Sequence, residues 1–141
     1  MQTDRARLRR LHRLERVRAI TRQSAAHEAA EAESAYARLA TLAERTRRMC
    51  ADLGAGTNPT LGHDLARQMQ FSAGLRDLGA NTSAQAERAR SQADQCQEEL
   101  AMAERRRSMV AERAERAARE LALRLAAPPL GPRRPVGTGL E

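Results

Sequence analysis

The sequence predicts an all-α chain built as a long two-helix antiparallel coiled-coil hairpin. Three observations predict it. First, from Leu61 to Leu121 small or apolar residues recur every seven positions, in two interleaved series. One contains Leu61, Leu75, Ala89, Cys96, Ala103, Val110 and Ala117, and the other Leu65, Ser72, Gly79, Ala86, Ala93, Leu100, Ala114 and Leu121. Gln68, Thr82 and Arg107 are the polar members. A stripe of this length at 3.5-residue spacing is what a left-handed coiled coil requires. Second, the chain has one Phe, one Tyr and no Trp among 141 residues. Aromatics normally supply much of the area of a thick core, whereas Ala favours helix and close backbone approach. Third, a single break, Gly54-Ala55-Gly56-Thr57-Asn58-Pro59-Thr60, divides the helix-compatible sequence.

The first helix starts at Thr3 or Asp4, either of which suits an N-cap, and runs to about residue 53. Its seven-residue series is Leu11, Arg18, Ala25, Ala32, Leu39, Thr46 and Leu53, which we pair with Leu14, Thr21, Glu28, Ala35, Leu42 and Met49. The turn occupies 54–60, with Asn58 or Thr60 as the next cap and Pro59 suited to a first helical position. The second helix spans about 60–127. Gly74, Gly79, Asn81, Thr82 and Ser83 weaken its early part, but the seven-residue phase passes through them unshifted. Residues 1–127 therefore form the hairpin. The proline-rich stretch from Pro128 onward cannot be helical, and 128–141 reads as a disordered tail.

A turn centred near residue 57 places Leu39 near Arg76 and Leu14 near Ala101. Helix 2 then overhangs the open end by about a dozen residues, given a rise of about 1.5 Å per residue. Cys50 faces the region of residue 65 and Cys96 that of residue 19, too far apart to pair.

Charge is segregated. All 25 basic residues are Arg, a preference that a GC-rich coding bias explains together with the abundant Ala. Residues 1–23 carry eight Arg against Asp4 and Glu15, and residues 101–124 carry seven Arg against four acids. Residues 24–100 hold eight Arg against eleven acids. An antiparallel hairpin brings the two Arg-rich stretches together at its open end.

Neither Cys50 nor Cys96 has a Cys or His at metal-ligand spacing, so no metal and no cofactor is expected. His12, His27 and His63 are scattered without a nucleophile, and Gly54-Ala55-Gly56 lacks the strand and Lys of a phosphate loop. The chain reads as a non-enzyme with no small-molecule substrate. No run is apolar enough for a membrane span or a signal peptide.

Phe71, Leu75, Leu78 and Thr82 fall at i, i+4, i+7 and i+11 of helix 2. They read either as a widened core stripe or as an exposed partner patch.

Two long helices, the start Arg7-Leu8-Arg9-Arg10-Leu11, a Phe-x3-Leu midway and the late run Glu104-Arg105-Arg106-Arg107-Ser108-Met109-Val110-Ala111-Glu112-Arg113 together resemble the flagellar export protein FliJ family. The injectisome stalk YscO is the analogue of that family. The resemblance implies a cytoplasmic coupling component, peripheral to the inner membrane through its partners. Those partners are the hexameric export ATPase, the cytoplasmic linker of the export gate and export chaperones. It implies a gate contact at Phe71, Leu75, Leu78 and Thr82. For the ATPase contact, the open basic end supplies Arg9, Arg10, Arg13, Arg105, Arg106 and Arg113. Thr82 and Leu78 differ in type from the family pattern, and Tyr36 alone remains of the helix 1 aromatics. The rival readings are the injectisome stalk, a basic coiled coil that binds nucleic acid, and a dimerising scaffold. Nucleic acid is disfavoured because the basic end has no aromatic for base stacking and is interspersed with acids.

Overall fold

A computed structural model describes residues 2–56 and 62–127. It contains two helices, α1 (Gln2–Ala55) and α2 (Gly62–Ala126), packed side by side as an antiparallel hairpin. At about 1.5 Å per residue they are roughly 80 and 100 Å long. The expected caps at Asn58 or Thr60 and the tail 128–141 lie outside the described residues. α2 is continuous through 79–83.

From Gln68 to Leu121 the seam of α2 follows the predicted series; Leu61 lies outside the described residues. Leu75, Thr82, Ala86, Ala93, Cys96, Ala103, Val110 and Ala114 are buried, and Gln68, Ser72, Gly79, Ala89, Leu100, Ala117 and Leu121 are half-buried. Arg107 and Leu65 are exposed. The seam of α1 differs from expectation in one of its two series. Leu11, Arg18, Ala25, Ala32, Leu39, Thr46 and Leu53 do face the partner helix. Their companions are Leu8, Glu15, Arg22, Ala29, Tyr36, Ala43 and Cys50, not Leu14, Thr21, Glu28, Ala35, Leu42 and Met49. Of the latter, only Ala35 is even half-buried. Both series contain polar residues, and the apolar content of Leu14, Leu42 and Met49 favoured the wrong one. The small partners Ala29 and Ala43 allow the close approach that the long side chains would prevent.

The register also differs. Asp4 pairs with Arg124 at 3.1 Å, Arg22 with Glu104 at 3.2 Å, and the Thr46 methyl packs 3.5 Å from where a Cβ on Gly79 would stand. Leu39 therefore faces Ala86, not Arg76, and Leu14 lies level with Glu112, not Ala101. The open ends are flush. The overhang is at the hairpin end, where residues 62–67 of α2 are all exposed beyond the level reached by α1.

Packing explains this register. The spacing fixed by Thr46 and Gly79 places Leu8 opposite Ala117, Leu11 opposite Ala114, Leu100 opposite Ala25 and Cys96 opposite Ala29. It also places Leu39 opposite Ala86 and Tyr36 opposite Ala89. Each of these layers sets a larger side chain against a smaller one, and a slip would create clashes and voids. The buried hydroxyls of Thr46 and Thr82 each donate to a carbonyl one turn back, Leu42 at 2.9 Å and Leu78 at 2.9 Å, so neither carries an unmet polar group into the seam. Cys50 lies at the level of Leu75 and Cys96 at that of Ala29, still far apart along the rod, and both thiols are free.

One layer holds two arginines. Arg18 stands opposite Arg107, and the buried Nε of Arg18 has no hydrogen-bond partner.

Candidate partner-binding surfaces

Residues that directly precede a seam position define one flank of the hairpin. On α1 this flank reads Arg7, Leu14, Thr21, Glu28, Ala35, Leu42, Met49 from the open end to the hairpin end. On α2, over the same distance, it reads Glu120, Arg113, Arg106, Glu99, Gln92, Gln85, Leu78, Phe71. In an antiparallel pair these two rows meet, and Arg7, Arg113 and Glu120 do line one cleft. The flank therefore grades from basic, through acidic and neutral, to apolar. Its α1 row is the series that the sequence suggested as core.

The apolar end divides the four residues read as the gate contact. Phe71 and Leu78 are 58% and 50% exposed on the flank, whereas Leu75 and Thr82 are 7% and 4% exposed in the seam. They do not form one surface. The companions of Phe71 and Leu78 are Met49 and Leu42 of α1, 51% and 46% exposed. Sequence reasoning missed these two because it placed them in the seam. The signal that finds them is the alternative phase, in which Ala29, Ala43 and Cys50 face inward. A cleft of about 230 Å³ lies on the other side of the same end, lined by Cys50, Leu53, Leu65 and Met69 among others.

The basic end keeps the six predicted arginines in one half of the rod but not on one face. Arg9, Arg10, Arg13 and Arg105 point outward from the seam, and Arg106 and Arg113 lie on the graded flank; all six are exposed. Arg7 and Arg116, absent from the expected set, join Arg113 in a cleft of about 460 Å³ that also contains Leu11, Ala117 and Glu120. Other arginines are engaged by carboxylates. Glu44 accepts from Arg47 at 2.6 Å and Arg48 at 3.0 Å, and Glu115 accepts from Arg119 at 3.0 Å. The hydrogen bonds from Arg48 first, then Arg47, hold the Glu44 carboxyl below its usual value.

His12 and His27 sit beside Glu15 and Glu31 of their own helix, at 3.5 and 3.3 Å. Among the described residues no three His, Cys, Asp or Glu side chains gather as a metal site. No described helix is long and apolar enough to cross a membrane. What the surface offers chemically is contact: guanidinium forks at one end and an apolar strip at the other. No protein-family model, curated protein or solved structure matches the chain.

Proposed function

We propose that this chain is a non-enzymatic stalk of a type III protein export ATPase complex, of the FliJ kind. The observation that supports the reading best is the rod's two unlike ends. The flush open end concentrates arginines from both helices, and the hairpin end carries Phe71, Leu78, Leu42 and Met49 on one exposed flank. In this reading the open end engages the hexameric ATPase through Arg9, Arg10, Arg13, Arg105, Arg106 and Arg113. The apolar flank meets the gate linker, with export chaperones as further partners. Leu75 and Thr82 act there only by holding Phe71 and Leu78 in place. The protein works at the cytoplasmic side of the inner membrane, attached through those partners.

A two-helix rod is stiff and asymmetric, so it cannot make the same contacts with all six subunits of a ring. Subunits that contact it differently differ in conformational equilibrium by the difference in contact energy. That bias couples hydrolysis around the ring to the gate. The test is ATP hydrolysis by the purified export ATPase with and without this chain, together with co-purification of the two. Stimulation and a stable complex are expected; an unchanged rate and no complex would remove the stalk reading. The injectisome stalk shares the geometry, and pairing the chain with each type of ATPase separates the two systems.

A further inference from the structure

At the open end, α1 turns away from α2 a face that holds no carboxylate. Residues 1–23 contain two acids, Asp4 and Glu15. Asp4 pairs with Arg124 of α2, and Glu15 is a half-buried seam residue beside His12. The next acid along α1 is Glu28, about two turns beyond Ile20. At 3.6 residues per turn, Arg10, Arg13, Val17 and Ile20 share one outward arc, with Leu14 at one edge and Arg9 and Arg16 at the other. Val17 and Ile20 are 52% and 67% exposed there. Over the same half, α2 exposes Glu104, Glu112, Glu115 and Glu120 among its arginines. Arginine alone does not mark this face, since it occurs all round the open half. The combination with bare branched apolar side chains and no acid does.

We propose that this face lies on the surface of a membrane containing anionic phospholipids, with Val17 and Ile20 entering the headgroup layer and the surrounding guanidiniums on lipid phosphates. Partial burial of an apolar strip and attraction of a basic patch to anionic lipid are two weak signals that together hold a helix at the interface. A cluster of about four to eight basic residues on such a helix suffices to recognise anionic headgroups, and Arg9, Arg10, Arg13 and Arg16 supply it. Long Arg stems let the charges stay at the phosphates while their apolar neighbours go deeper. No described helix is apolar enough to cross the bilayer, so the contact lies on it. The face is the convex outer side of a single helix, which gives a partner helix no groove but meets a broad surface directly. A nucleic acid would take the arginines and leave Val17 and Ile20 in water, and both aromatics, Tyr36 and Phe71, lie in the other half of the rod. The inference adds a direct membrane contact to the stalk reading and does not rest on it. Arg9, Arg10 and Arg13 also belong to the proposed ATPase contact, so a chain on the bilayer is free of the ring.

The test uses the full chain and vesicles of phosphatidylcholine, alone or with about 30% phosphatidylglycerol, at about 0.1 M salt. The chain has no Trp, so Ile20→Trp reports its own surroundings, and Met102→Trp reports an exposed site at nearly the same level on α2. The emission of Ile20→Trp should shift to the blue on the anionic vesicles and not on the neutral ones, and that of Met102→Trp on neither. In co-sedimentation, Arg10→Gln/Arg13→Gln should bind the anionic vesicles at least tenfold more weakly, since each Arg at such a surface strengthens binding roughly fivefold. The charge-matched Arg116→Gln/Arg119→Gln should lose less than threefold. Val17→Ser/Ile20→Ser, at unchanged charge and helicity, should lose at least fivefold. Equal shifts in the two Trp variants, equal losses for the two arginine pairs, or Val17→Ser/Ile20→Ser within twofold of the parent overturns the proposal. A chain that ignores anionic vesicles but binds a DNA duplex of about 20 base pairs overturns it in favour of nucleic acid. Vesicle binding without ATPase stimulation keeps the membrane face and removes the stalk; stimulation without vesicle binding does the reverse.

Discussion

Replacing Arg18 with Leu should stabilise the hairpin, although it deletes a charge from a charged rod. Arg18 sits in the seam, its Nε is buried without a hydrogen-bond partner, and the register sets it opposite Arg107. A buried unsatisfied donor costs about 1–3 kcal/mol. Part of that range applies, because the side chain is only half-buried and the outer guanidinium reaches water. The Arg stem already packs against the seam, so Leu adds little apolar burial of its own. The net expectation is a gain of about 1–2 kcal/mol, or about 5 °C in Tm for a chain of this size. Thermal melting by circular dichroism measures it, at two protein concentrations so that any new self-association would be seen. Arg18→Gln, which keeps a polar group in the layer, should gain markedly less. A Tm that falls in Arg18→Leu, or rises equally in both variants, would refute the claim that the unmet donor destabilises this layer.

Phe71→Ala should leave helicity intact and cost less than about 1 kcal/mol, since the ring is already 58% exposed, while gate-linker binding weakens. Leu75→Ala should instead cost about 2–4 kcal/mol, because that side chain is 7% exposed; similar melting losses for the two would contradict the division of this face. For the register, spin labels on cysteines placed at Ala35 and Gln92, which share the graded flank, with Cys50 and Cys96 replaced, should lie within about 20 Å and closer than an Ala35–Leu78 pair; the reverse order would restore the register centred on residue 57. Titration of the Glu44 carboxyl by NMR should give a pKa below 4.5 that rises in Arg48→Gln. Because its folded value is the lower one, any stability it supplies is present above the unfolded pKa and lost as pH falls through the folded value. An unchanged Glu44 titration in Arg48→Gln would place the cause elsewhere.

The hairpin and the α2 seam from Gln68 to Leu121, Arg107 apart, were legible because a seven-residue repeat over many turns leaves little choice of phase. α1 was harder to read. Its rows Leu8-to-Cys50 and Leu14-to-Met49 are both mixed, the first containing Glu15 and Arg22 and the second Thr21 and Glu28. The larger side chains of Leu14, Leu42 and Met49 favoured the second row. What decides the phase is size: in a seam this narrow, Ala29 and Ala43 are better core residues than Leu42 and Met49. The register escaped for a related reason. A centred loop is a reasonable guess when nothing else is known, but the pairing of Thr46 with Gly79 and of Leu8, Leu11, Leu39 and Leu100 with alanines is visible only once both phases are right. The Phe71 group then divides of itself, since Leu75 and Thr82 belong to the seam and Phe71 and Leu78 precede seam positions.

The same size rule links the fold to the proposed work. A seam of alanines stabilises each layer little, since burying an apolar side chain contributes in proportion to its area. The larger apolar residues, Phe71, Leu78, Leu42 and Met49, are thereby left on a flank, where they cost the hairpin little to present. Had they filled the seam, the helices would stand farther apart and the flank would be polar throughout. The thin core and the apolar flank are two consequences of one allocation of side chains, and the arginines at the flush end follow from the register that this allocation fixes. A register near residue 57 as centre would set Leu39 against Arg76 and Leu14 against Ala101 and undo that allocation. The Ala35–Gln92 distance therefore tests that allocation of side chains as well as the fold.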